Sequence, residues 1–130
     1  PQDKAVRRLL GIERDGKKFV IGFISDQRPS GRILHHWTDF LGQDTPYVVG
    51  GETVGNHVGA KFVYLDVEKT SRGHYRMTFL PVVPDSSDNG PDPYTREFMK
   101  MLEKTIYRAP AYWLWSHRRW KRQRHADQHA

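Results

Sequence analysis

The chain has 130 residues, enough to bury one core but too few for two, so a single domain is expected. It carries 21 Lys and Arg against 15 Asp and Glu, a formal net charge of +6, and no cysteine. A disulfide framework, a thiolate nucleophile and a cysteine-ligated zinc are therefore excluded, which leaves any metal to His and carboxylates. No run approaches the roughly 20 apolar residues of a membrane-spanning helix, and nothing at the N-terminus reads as a signal peptide. Because it opens at Pro1 rather than Met, the chain is expected to be a processed or cloned piece of something longer. Five Lys and Arg fall in residues 117 to 130 against Asp127 alone; the other sixteen lie in residues 1 to 116 with fourteen acids, so the high charge belongs mostly to the tail.

Asp3 is placed to cap a short helix with Val6, Leu9 and Leu10 inside, Arg7 and Arg8 outside, and Gly11 or Gly16 as a stop. After the Arg14-Asp15-Gly16 turn, Lys18 to Ile24 is a continuous apolar run of strand length, the type buried on both faces of a parallel sheet, and it predicts a central strand. Such a strand delivers Ser25, Asp26 and Gln27 to its carboxyl end, where ligand sites gather in open α/β sheets. The plainer reading of Asp26 is a turn cap before Pro29-Ser30-Gly31. Arg32 to Leu41 reads as a loop or short strand ending in Trp37, Phe40 and Leu41. His35, His36 and Asp39 raise the question of a metal, but three ligands at such loose spacing recur by chance and none is expected.

Thr45-Pro46 reads as the N-cap and first residue of a helix reaching about His57. Glycines 50, 51, 55 and 59 weaken that helix, which predicts close approach to a neighbour or a ligand. Gly50-Gly51 is not a phosphate loop, since no Lys-Ser/Thr follows. Ala60 to Val67 and His74 to Leu80 predict two further strands, joined as a hairpin through Lys69 to Gly73. Pro84 to Pro93 is an exposed connection. Asp92-Pro93 then opens a helix to about Arg108, with Tyr94, Phe98, Met101, Leu102, Thr105 and Ile106 on its core face. The order strand, helix, strand, hairpin return predicts an α/β fold, a mixed sheet of three or more strands with helices packed on it. Residues 1 to 122 are expected to form the domain, and 123 to 130 a disordered basic tail.

Pro110 to Arg122 alternates aromatic and basic residues and holds three of the four tryptophans. On a helix from Pro110, Trp113, His117 and Trp120 share one face, with Arg118, Arg119, Lys121 and Arg122 over the remainder. The rings read as anchors and the cations as contacts for anions. Nucleic acid, phospholipid and acidic protein all suit such a surface. Without a helix-turn-helix, RNP-type or zinc-finger pattern, nucleic acid is not the expected partner. Ser25 and Ser116 lack the Gly-x-Ser-x-Gly elbow of a serine hydrolase.

Several segments, taken in order, resemble the bacterial lipid A biosynthesis acyltransferases of lauroyl or myristoyl type, within the lysophospholipid acyltransferase-like superfamily. The hydrophobic run ending in Asp26-Gln27, Phe40-Leu41-Gly42 followed by Thr45-Pro46, Gly59-Ala60 leading into a strand, and Ala109-Pro-Ala-Tyr-Trp-Leu-Trp-Ser-His-Arg-Arg-Trp-Lys121 each match a family segment. The last is similar to the closing Pro-Glu-x-Trp-x-Trp-x-His-Arg-Arg-Phe/Trp-Lys and is the most specific. The resemblance spans about Leu9 to Arg122 and covers the C-terminal half of a usual member.

It implies an acyltransferase-type α/β domain whose His-x4-Asp/Glu provides a general base, so that a hydroxyl of a lipid A precursor or related phospholipid attacks an acyl carrier protein thioester. It also implies the cytoplasmic face of the bacterial inner membrane, and no cofactor. That motif is missing here: five residues beyond His35, His36, His57, His74 and His117 stand Phe40, Leu41, Phe62, Phe79 and Arg122. These residues alone are therefore expected to transfer no acyl group. By the same resemblance Asp26 is a supporting catalytic residue. Gln27, Arg28, Arg32, His117, Arg118, Arg119 and Lys121 would face the substrate, its phosphates or the acidic carrier. The alternative reading is a non-catalytic basic module for nucleic acid or anionic membrane.

Overall fold

The computed structural model describes residues 7–9, 11–12, 14–16, 18–29, 36–121 and 124. Residues 7–9, 11, 12 and 14 are helical, where the amphipathic pattern predicts a short helix; Asp3, Val6 and Leu10 lie outside the described residues. Strands β1 (Trp37–Phe40) and β2 (Gln43–Pro46), helix α1 (Gly50–His57), strands β3 (Val63–Ser71) and β4 (His74–Pro81) and helix α2 (Pro93–Arg108) follow. Two 3-10 turns, Pro110–Tyr112 and Trp115–His117, come last.

The strands form two separate antiparallel hairpins. In the first, Trp37 faces Pro46 and Phe40 faces Gln43, which leaves Leu41-Gly42 as a two-residue turn. Both turn residues have positive φ, 55° and 71°, the type I′ geometry whose twist matches that of the paired strands. Glycine accepts this freely and Leu41 does not; its amide is held by the Glu103 carboxylate from α2. In the second hairpin Val63 faces Pro81 and Ser71 faces His74 across an Arg72-Gly73 turn, with an irregularity between Lys69 and Ser71.

The core is Phe40, Tyr47, Tyr64, Val82, Met99, Leu102 and Ile106. Helix α2 supplies three of these, and its most buried line runs through Thr95, Met99, Leu102 and Ile106 at helical spacing. The apolar face is thus centred on Met99, which the predicted stripe left out. Aromatic pairs tie α2 to β3 and to the chain preceding it: Tyr64 meets Phe98 edge-on at 5.6 Å, and Phe62 lies 4.4 Å from Tyr94.

An α/β arrangement is what forms, with the hairpin and helix over 63–108 close to their predicted places. Three expectations change. A single mixed sheet gives way to two hairpins, because residues 18–25 form no ladder among the described residues, and a strand exists only through its ladder. Val20 and Ile24 are 93% and 79% exposed, whereas Phe23 turns onto α1. Thr45-Pro46 pairs with Thr38 and Trp37 instead of opening a helix, the Tyr47 amide extends that hairpin onto the His36 carbonyl, and α1 begins at Gly50. Pro46 is tolerated because it closes an edge strand.

Asp92-Pro93 does open α2 as predicted, while the Asp92 side chain bonds His36 and Tyr47 at 2.6 and 3.2 Å instead of the helix, on a residue with φ 54°. The aromatic-basic segment is not a helix but two short turns. Arg118 stands between them and the end in a left-handed conformation that a continuous helix cannot contain.

Candidate active site

Residues 25–29 meet the C-terminal turns, which lie about ninety residues further along the chain. The Arg28 amide donates to His117 Nε2 at 3.2 Å. An accepting Nε2 leaves the proton of a neutral imidazole on Nδ1. Two residues on, Arg119 is only 3% exposed. Its Nη2 donates to the Pro46 carbonyl at 2.6 Å, while Nε and Nη1 are buried without a partner. Burial pulls this guanidinium down from its ordinary value to about 10, and the negative charge of Asp26 works against that shift. Asp26 also contributes to the raised pKa of Tyr64, though burial of the phenol is the main cause.

The segment is held in place by its rings. Trp113 and Trp120 stand against Phe40 at 6.3 and 6.4 Å between ring centroids, and Trp120 Nε1 donates to Thr45 Oγ1 at 2.7 Å. Both tryptophans anchor, as their spacing suggests, without sharing a helix face. Trp115 is half exposed and donates to the Pro110 carbonyl within its own turn.

Four predicted site residues thus converge: Asp26, Arg28, His117 and Arg119. Gln27, Arg118 and Lys121 are on the surface. Arg119 is turned inward, because the Pro46 carbonyl needs a donor that no strand supplies, so in this arrangement it is not a surface contact for anions. Arg32 lies outside the described residues, as does the tail except for Arg124, which pairs with Asp44 at 3.1 Å. His35 is likewise outside, His36 is engaged by Asp92, and among the described residues no three His, Asp or Glu could hold a metal ion.

A cavity of about 610 Å³ lies between residues 18–25, α1, the start of β3 and the first turns of α2. Phe23, Val54, Val58, Phe62, Val82 and Phe98 give it an apolar wall; Ser25 adjoins Asp26, and Lys18 and Lys61 are the cations that line it. Gly51 and Gly55 make this possible. A Cβ at Gly51 would stand 3.2 Å from the Phe23 ring, and one at Gly55 would overlap Phe62. The close approach predicted from the glycines is therefore to two phenylalanines of the wall.

Glu52, on the same helix, had no sequence signal as a site residue. It is buried, and its carboxylate accepts from the Tyr94 amide at 3.3 Å and from the Thr95 amide and hydroxyl at 2.8 and 2.7 Å. It caps α2 from another element and closes the floor of the cavity. The one hint is an acid among glycines and apolar residues.

The chain belongs to the bacterial lipid A biosynthesis acyltransferases, whose family model matches residues 1–122. No individual curated protein and no solved structure matches it.

Proposed function

We propose that this chain supplies the acyl-chain pocket and part of the lipid-facing wall of an acyltransferase. The enzyme would move a fatty acyl group from acyl carrier protein to a hydroxyl of a lipid A precursor or related phospholipid, at the cytoplasmic face of the bacterial inner membrane. The observation that carries this reading is the apolar cavity that Ser25 lines, taken with family membership. Its volume falls in the range of pockets that enclose small ligands, roughly 300–1,000 Å³. Hydrocarbon needs such a wall and no hydrogen-bonding partner.

In the reaction the acceptor oxygen attacks the thioester carbonyl, a C–O bond forms, the C–S bond breaks and the carrier thiol leaves with the proton. Taking the hydroxyl proton calls for a positioned base. With no His-x4-Asp/Glu in these residues, that base comes from outside them. Asp26, next in the chain to the cavity-lining Ser25, accepts a hydrogen bond from the acceptor hydroxyl in a supporting role. Gln27, Arg28, Arg32, Arg118 and Lys121 serve phosphates or the acidic carrier. Arg119 and His117 hold the C-terminal turns against Pro46 and Arg28, and no cofactor takes part.

The pocket is tested by titrating the purified chain with a fluorescent fatty acid and displacing it with lauroyl or myristoyl pantetheine. Saturable binding that falls about tenfold or more in Val54→Phe and Ala60→Phe, with unchanged circular dichroism, is the expected result. Equal binding by the filled variants would remove the cavity from the mechanism.

A further inference from the structure

Two carboxylates compete for the first turn of α2, and the less expected one holds it. The N-cap residue is Asp92 and Pro93 is the first residue of the helix, an arrangement in which an Asp side chain ordinarily folds back onto the amides two and three positions on. Those amides belong to Tyr94 and Thr95. Both donate instead to Glu52 of α1, at 3.3 and 2.8 Å, and the Thr95 hydroxyl adds a third bond at 2.7 Å. Asp92 makes no capping bond at all. Glu52 therefore occupies the very donors that the N-cap residue would serve.

Asp92 is kept from them by the first hairpin. Its Oδ2 accepts from the Tyr47 hydroxyl at 3.2 Å and meets His36 Nδ1 at 2.6 Å. The Tyr47 amide donates to the His36 carbonyl and the two rings stand 5.7 Å apart, so both partners sit at the open end of that hairpin. This clasp holds Asp92 at φ 54° and ψ 56°, the left-handed region that residues other than glycine seldom occupy. Pro93 opposes it as well, because a residue before proline prefers extended backbone, which is also the N-cap conformation. One rotation of Asp92 would thus satisfy both preferences and bring its carboxylate onto the helix. Strain of this kind persists only while surrounding contacts fix it. Those contacts are partly wet, the His36 and Asp92 side chains being 35% and 20% exposed, whereas Glu52 is buried. Water competes for the clasp more readily than for the cap.

We propose that the start of α2 is a two-state cap. With the clasp closed, Glu52 holds the Tyr94 and Thr95 amides; with it open, Asp92 takes them and Glu52 is released. Glu52, Tyr94 and Thr95 all line the cavity, so the exchange joins the first hairpin to the cavity floor and turns a committed carboxylate into a free acceptor there. None of this rests on the acyl-transfer reading, and the test contains no ligand. In urea unfolding of the purified chain, Glu52→Ala is expected to raise the unfolding equilibrium constant about 150-fold. In His36→Leu/Tyr47→Phe, where the clasp is gone, the same change should raise it only about 30-fold, the difference being the roughly fivefold worth of an Asp cap. Adding Asp92→Ala to that pair should restore the full effect. If Glu52→Ala does not fold, Glu52→Gln, which keeps the shape of the side chain, is carried through the same three backgrounds and should give smaller losses in the same order. An equal cost of the Glu52 change with and without the clasp overturns the proposal, as does a reduced cost that survives Asp92→Ala.

Discussion

Glu52 is a carboxylate 6% exposed that answers three donors at the first turn of α2. Hydrogen bonds to a charged acceptor are each worth about 1.5–3 kcal/mol, and truncation would strand two amides and a hydroxyl. Glu52→Ala is therefore expected to destabilise by about 3 kcal/mol in urea unfolding, with Glu52→Gln losing less. Equal stability of Glu52→Ala would mean that water takes over the cap.

Tyr47 is raised to about 12 by burial and then by the charge of Asp92. A raised pKa means that the folded state prefers the neutral phenol. Its contribution is complete below about pH 10 and disappears as pH climbs towards 12, because the unfolded chain ionises first. Arg119 acts in the opposite sense: its lowered pKa is a cost of keeping the buried cation, relieved as pH rises above about 10. Comparison with Tyr47→Phe separates the two, since that variant should lose its melting temperature less steeply over this range. Parallel curves would deny Tyr47 its shift.

At the scale of elements, α1 shows glycine serving contact at two neighbouring positions with unequal consequences. Phe62 packs against Gly55 within the wall, so Gly55→Val overfills the site and is expected to cost about 1–3 kcal/mol in denaturant melts. Phe23 over Gly51 is 47% exposed and free to yield, so Gly51→Ala should be nearly neutral, helix propensity offsetting the displaced ring. Similar losses at both positions would mean that the two rings are equally fixed.

The same helix shows what local pattern can and cannot tell. Pro after Thr is a good helix start by itself, yet Thr45 and Pro46 lie across from Thr38 and Trp37, and pairing decided the matter. Residues 74–80 and 93–108 needed no such outside information. Their alternation and their 3.6-residue stripe are carried within one segment, and both formed nearly where predicted.

For the whole molecule the site is a meeting of distant parts. Arg28 reaches His117 across eighty-nine positions, Arg119 reaches Pro46 across seventy-three, and Trp120 reaches Thr45 across seventy-five. These contacts seat the C-terminal turns against the first hairpin and Arg28, and the proposed base is not among them. The 130 residues are accordingly expected to show no acyl transfer from acyl carrier protein thioester to a lipid A precursor in a purified assay. Turnover would place the base inside the chain and overturn that division.

The sequence by itself determined the cast: an apolar run ending in Asp26, a glycine-bearing helix, a hairpin, an amphipathic α2 and a closing signature that points to the family. Those are properties of composition and short-range spacing, written where the residues stand. It took the folded chain to show that residues 18–25 pair with no other described segment, that Arg119 turns inward, that Glu52 caps a helix other than its own and that the apolar face of the second hairpin looks outward. Each depends on a partner dozens of residues away, and a ladder, a buried charge or a cap has no existence until that partner arrives.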